Sequence, residues 1–135
     1  MIVEDEDISR EVLAQALELM GYQTSTADNG LSALKRCEEV QPDLILSDIH
    51  MPEMNGLELL KELRLRNNKV PVILITGFDP EEARHTAQNC EATALILKPF
   101  RLQVLKKTID DVLAGKPNRN GNRPPEQSDP KPDIF

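Results

Sequence analysis

The 135 residues carry 16 basic and 23 acidic side chains, a formal charge of −7, and 39% of them are hydrophobic, enough for one domain around a single core. No segment gathers Lys and Arg into a stripe that could track a phosphate backbone, and no apolar run approaches the roughly 18 residues of a bilayer span. The composition therefore argues against direct nucleic-acid binding and against a membrane, and the chain reads as a soluble cytoplasmic protein.

Short apolar runs alternate with amphipathic stretches five times, which predicts an α/β protein with a doubly wound parallel sheet over residues 1–114. The first strand, Met1–Glu4, is clipped to three or four residues, as in an excerpt of a longer protein. Val12, Leu13, Ala16, Leu17 and Met20 follow as a helical stripe that Gly21 stops. A second strand is predicted at Tyr22–Ala27 and a second helix on Leu31, Leu34 and Cys37. The strands Leu44–Asp48, Val70–Ile75 and Thr93–Leu97 are rich in Leu, Ile and Val, and these three should be the most buried. Between the first two of them, Leu57, Leu59, Leu60 and Leu63 form a dense core stripe.

Asp79-Pro80 with Glu82 supplies a cap, a Pro at the first helical position and a capping box for a helix over 79–90. That helix has only Ala83, Ala87 and Cys90 as an apolar face, so it should be the most weakly anchored. The last helix carries Leu102, Leu105, Ile109 and Val112. Residues 115–135 offer almost nothing to bury and are rich in Pro, so they read as a disordered tail or linker. The acidity lies outside that tail, since residues 1–114 hold 12 basic and 20 acidic side chains and the tail 4 and 3. Cys37 and Cys90 lie in helix-like runs without CxxC spacing and read as small apolar fillers.

In an open α/β sheet, ligands bind outside the carboxyl ends of the strands, so strand ends are where chemistry is sought. Here they read Glu4-Asp5, Asp48, Thr76-Gly77 and Lys98-Pro99: three carboxylates, a hydroxyl and an ammonium converging on one pocket. Crowded carboxylates repel and resist ionisation unless a positive charge compensates. Oxygen-only ligands without a His or Cys cluster suit a hard ion, and an incomplete protein shell fits Mg²⁺ better than Ca²⁺. Such an ion neutralises charge during phosphoryl transfer, with Thr76 as hydroxyl donor, Lys98 as cation and Gly77 leaving the entrance open. Asp48, at the end of an apolar strand, is the natural nucleophile.

The stretches Ile2-Val-Glu-Asp5, Leu44-Ile-Leu-Ser-Asp48 with Met51-Pro52 and Gly56, Ile75-Thr76-Gly77 and Leu97-Lys98-Pro99-Phe100 resemble the receiver domain of bacterial two-component response regulators, of the chemotaxis-regulator-like kind. The match spans residues 1–114 in order. The resemblance implies a flavodoxin-like (βα)5 sheet of order 2-1-3-4-5 and a cis Lys98-Pro99 bond. It implies phosphorylation of Asp48 by a sensor histidine kinase or phosphotransfer protein. It implies Mg²⁺ held by Asp5, Asp48 and the His50 backbone carbonyl, with Glu4 acting through water. Receivers of this family dock a downstream partner or output domain, and often form homodimers, on a face that falls here at residues 79–113. Three residues before Lys98, where the family carries a switching Tyr or Phe, this chain has Leu95, so the usual report of phosphorylation is altered. His50 and Phe78 occupy positions at which the family tunes the phosphate's lifetime.

Each residue also has a plainer reading. Glu6 and Asp7 are first-turn acids favoured by the helix dipole, His85 is a solvated helix residue, and Tyr22 and Phe100 are core or helix-entry residues. Two other functions compete. A degenerate receiver would serve as a constitutive docking module, as Leu95 suggests. An aspartate-nucleophile phosphatase would need a second Asp where His50 stands.

Overall fold

The computed structural model describes residues 1–77, 81, 84–85 and 92–115. Five strands, β1 (Ile2–Val3), β2 (Thr26–Ala27), β3 (Ile45–Asp48), β4 (Val72–Thr76) and β5 (Ala94–Leu97), form one parallel sheet of order β2-β1-β3-β4-β5. The expected order 2-1-3-4-5 is borne out. The helices whose bounds fall among the described residues are α1 (Asp7–Leu19), α2 (Gly30–Val40), α3 (Gly56–Leu65) and α4 (Leu102–Gly115). Chain order switches direction between β1 and β3, which places the carboxyl ends of those two strands side by side. Among the described residues no helix is long and apolar enough to cross a membrane.

The sheet is the core. β4 is buried at all five positions, and β3 and β5 at all but their last. Leu59, Leu60 and Leu63 of α3 and Leu105, Ile109 and Val112 of α4 pack against it, as their spacing predicts.

Every strand differs from its expected bounds by at least one residue, and the late starts of β2 and β4 arise because backbone groups are taken elsewhere. Tyr22–Ala27 pairs only at Thr26–Ala27, because its single neighbour β1 offers two residues and the Tyr22 N–H caps α1 by donating to the Leu17 carbonyl at 3.1 Å. β4 starts at Val72 rather than Val70. The Val70 N–H goes to Asn68 Oδ1 and its carbonyl accepts from Arg64, both at 3.0 Å, so it is withheld from the ladder. Three stripe residues also lie outside the core: Val12, Leu31 and Leu102 are exposed, while Leu17, Leu34 and Leu105 carry the contacts. Phe78, Cys90 and, apart from residues 81 and 84–85, the helix expected over 79–90 lie outside the described residues, as does the tail beyond residue 115.

The starts of α2 and α3 are fixed by side chains. Asn29 Oδ1 accepts from the Ser32 N–H at 2.8 Å, and Asn55 with Glu58 forms a reciprocal capping box. Both caps lie on the same end of the sheet as Asp48, so the loops that surround the strand ends are anchored at their far sides.

Candidate functional site

β1 stops at Val3, and the chain turns into α1 through Glu4 and Asp5. The Glu4 N–H still pairs with the Ala27 carbonyl at 3.1 Å, which holds Glu4 at the sheet edge and leaves it 4% exposed. Asp48 closes β3 opposite Ile75 of β4, with its side chain 13% exposed. One carboxylate oxygen from each of Glu4, Asp5 and Asp48 lies within 4.8 Å of the others. Lys98, directly after β5, reaches across: its Nζ is 3.0 Å from Asp48 Oδ2 and 3.6 Å from Glu4 Oε1. The sheet thus assembles four of the sequence-predicted residues from three strand ends.

The remaining ones are placed as follows. Thr76, the last residue of β4, is fully buried, and its carbonyl accepts from the Lys98 N–H at 2.7 Å. Gly77 is exposed, and among the described residues a Cβ there would meet the Lys98 Cβ at an ordinary 3.9 Å. His50 is exposed two residues beyond Asp48, and the Lys98-Pro99 bond is cis. Leu95 is wholly buried opposite Leu74.

Burial pushes the Glu4 carboxyl above its ordinary value; the Glu6 N–H, 3.3 Å from its Oε2, and the Lys98 ammonium pull back, while the Asp48 charge pushes further up. For Lys98, burial favours the neutral amine, but the hydrogen bond and charge of Asp48 together with Glu4 outweigh it, and its pKa is raised. The ammonium is therefore the standing counter-charge of the acidic pocket.

The loop after Asp48 is clamped by two glycines. Gly56 packs so closely on the Asp48 carbonyl that any Cβ would overlap it, and its N–H donates to the Ile49 carbonyl at 2.9 Å. Gly30, at the start of α2, donates to the Met54 carbonyl at 3.0 Å, and a Cβ there would lie 2.5 Å from that oxygen. Reasoning on the sequence singled out Gly56 but missed Gly30. It also missed Arg10, whose Nη1 donates to the Glu4 carbonyl at 2.9 Å. Its signal was the three-residue spacing from Asp7, with which it forms an ion pair at 2.6 Å.

The response regulator receiver domain family matches residues 1–110. The chain belongs to that family. The receiver is 40% identical over 113 residues to the regulatory protein AtoC of Escherichia coli, covering 84% of this chain and 24% of that one. It is also 40% identical over 119 residues to the polar-differentiation response regulator DivK of Brucella anthropi, covering 84% of this chain and 94% of that one. Among solved structures, the signal receiver domain of a histidine kinase from Syntrophus aciditrophicus is 38% identical, with a TM-score of 0.77 over 84% of this chain and 88% of that one. The receiver thus spans about a quarter of AtoC and nearly all of DivK. As a member of this family it is a phosphoacceptor signalling domain of two-component systems.

Proposed function

We propose that Asp48 is the phosphoacceptor, charged by a phosphohistidine of a sensor kinase or phosphotransfer protein. The observation that carries this reading is the Lys98 ammonium held 3.0 Å from Asp48 Oδ2 beside the carboxylates of Glu4 and Asp5. An Asp48 oxygen attacks phosphorus, the P–O bond forms as the P–N bond breaks, and the imidazole leaves. Lys98 pairs with a phosphoryl oxygen, and the Thr76 hydroxyl serves as a second donor once the β4 end opens to the ligand.

The donor set fits Mg²⁺. Oxygen ligands of an octahedral ion at about 2.1 Å lie roughly 3 to 4 Å apart, so a triad within 4.8 Å suits two direct carboxylates and a third through water. Asp5 and Asp48 would bind directly, Glu4 through water, and the His50 backbone carbonyl would complete the protein ligands. When bound, the ion neutralises charge on the phosphoryl group in transfer.

The test is incubation with a small-molecule phosphodonor and Mg²⁺ followed by intact-mass analysis. One added phosphoryl group that vanishes in Asp48→Asn supports the reading; no added mass, or equal labelling of the variant, overturns it. The receiver would catalyse only its own phosphorylation and dephosphorylation, and a phosphatase acting on other substrates lacks its acid, because His50 stands at that position.

The protein donor approaches over α1, which starts two residues after Asp5. Ile8, Val12 and Leu19 are 74%, 59% and 90% exposed. At about 100° per residue they fall on one stripe of that helix. The downstream partner or output domain, or a second copy, uses residues 79–113. Wholly buried Leu95 favours a second reading for that output, a constitutive docking module, which partner binding unchanged by Asp48→Asn would support.

A further inference from the structure

The carboxylates of Glu4 and Asp5 hang from a turn that has left the sheet ladder. β1 ends at Val3, whose register partners are Ala27 and Ser47, and beyond it the Glu4 N–H bond to Ala27 is the last rung toward β2. The Glu4 carbonyl takes its hydrogen bond from a side chain instead: Arg10 Nη1 donates to it at 2.9 Å. The other arm of the same guanidinium donates to Asp7 Oδ1 at 2.6 Å, and the Arg10 N–H donates to the Glu6 carbonyl at 2.9 Å. Arg10 is therefore tied at three points to the turn that carries both acids, and its side chain is 21% exposed against 86% for Asp7.

The Glu4 carbonyl belongs to the peptide plane whose two ends are the Cα atoms of Glu4 and Asp5. Holding that oxygen restrains the plane, and with it the two Cα atoms from which the carboxylates leave the backbone. A planar guanidinium with two donors in a rigid fork can do this, whereas a lysine ammonium is a point charge without an orientation. We infer that Arg10 is a positioning residue: by holding the peptide between Glu4 and Asp5 it sets the divalent-cation affinity of the acidic pocket. This rests on the Mg²⁺ reading above and adds to it a residue that holds the Glu4 backbone rather than any carboxylate of the pocket.

Charge and position give opposite signs, which makes the assignment testable. Removing a cation from the neighbourhood of three carboxylates would by Coulomb's law alone tighten Mg²⁺ binding. Loss of positioning would weaken it, roughly 10- to 100-fold for an outer residue that orients ligands. The experiment is a calorimetric Mg²⁺ titration of the full chain and of Arg10→Met and Arg10→Lys, at a temperature well below unfolding as measured in EDTA. Weakened binding in both variants is the expected result. Small-molecule phosphorylation should recover its wild-type rate at saturating Mg²⁺, because neither variant alters Asp48 or Lys98. Binding by Arg10→Met equal to or tighter than wild type overturns the assignment, and wild-type affinity in Arg10→Lys shows that the planar two-donor fork is not needed, which also overturns it. Should Arg10→Met not fold, Arg10→Lys decides. Absence of Mg²⁺ binding in the wild-type protein would instead sink the metal reading itself, so the two failures are distinguishable.

Discussion

Lys98 Nζ stands 3.0 Å from Asp48 Oδ2 and 3.6 Å from Glu4 Oε1, so one ammonium bridges the acid that ends β3 and the acid that follows β1. It occupies electrostatically the role that a divalent ion would take, and the two cations compete for the same negative charge. Lys98→Ala should therefore tighten Mg²⁺ binding by roughly three- to tenfold. The same change should lower the stability of the metal-free protein by about 0.5 to 1 kcal/mol, a modest value because the lysine is partly exposed. Titration calorimetry and thermal unfolding in EDTA measure the two effects. Weaker Mg²⁺ binding in the variant would show that Lys98 organises the carboxylates more than it competes for them.

Glu4 gives the metal-free protein a pH dependence of defined sign. Its pKa in the fold is raised above the usual 4.5, mainly by burial, so the folded state binds this proton more tightly than the unfolded chain does. The associated stability is fully present below 4.5 and is lost as pH rises through the higher folded value. Glu4→Gln should remove that slope, leaving the metal-free protein more stable at pH 7 by about 1 kcal/mol while weakening Mg²⁺ binding. Denaturant unfolding from pH 4 to 7 in EDTA checks this, and an unchanged slope in the variant would assign the dependence to another group.

How much of this was legible in the sequence depended on which force set each feature. Strand ends in an α/β sheet are positioned by the core, so the apolar runs before Asp48, Thr76 and Lys98 are enough to locate these residues at strand ends. β2 and the start of β4 were misjudged because their ends are decided by single hydrogen bonds, from Tyr22 to the end of α1 and from Arg64 to the Val70 carbonyl, and periodicity carries no such information. Val12 and Leu31 satisfy the helical spacing yet face outward, since periodicity alone does not say how much of a stripe the core covers. Arg10 and Gly30 act through backbone carbonyls far away in pattern though near in space, and only the fold shows those partners.

The two glycines around the acceptor loop should behave differently from the third at the pocket mouth. A Cβ at Gly56 overlaps the Asp48 carbonyl, and one at Gly30 approaches the Met54 carbonyl to 2.5 Å, so neither can be relieved by a side-chain rotation. Gly56→Ala and Gly30→Ala should each cost about 2 kcal/mol or more and shift the loop that follows Asp48. Gly77→Ala adds its methyl beside Lys98 at an ordinary 3.9 Å contact and should leave stability within about 0.5 kcal/mol of wild type. Urea midpoints for the three variants decide the matter, and a Gly30→Ala protein as stable as wild type would mean that α2 can move away from Met54 at little cost.

The exposed stripe on α1 predicts a separation between two kinds of phosphodonor. Ile8, Val12 and Leu19 contribute nothing to the core, so charging one of them should leave the fold intact within about 0.5 kcal/mol. A small-molecule donor needs only the pocket formed by Asp48, Lys98 and the acids, whereas a protein donor must also bury a surface beside it. Val12→Glu and Leu19→Glu should thus slow transfer from the cognate phosphohistidine protein by roughly tenfold or more, the loss expected for removing an apolar anchor from an interface. Labelling by the small-molecule donor should remain at the wild-type rate. Rapid-quench measurement of both reactions on the same preparations provides the comparison. Equal slowing with both donors would place the defect in the pocket, and no slowing with either would move the docking surface off α1.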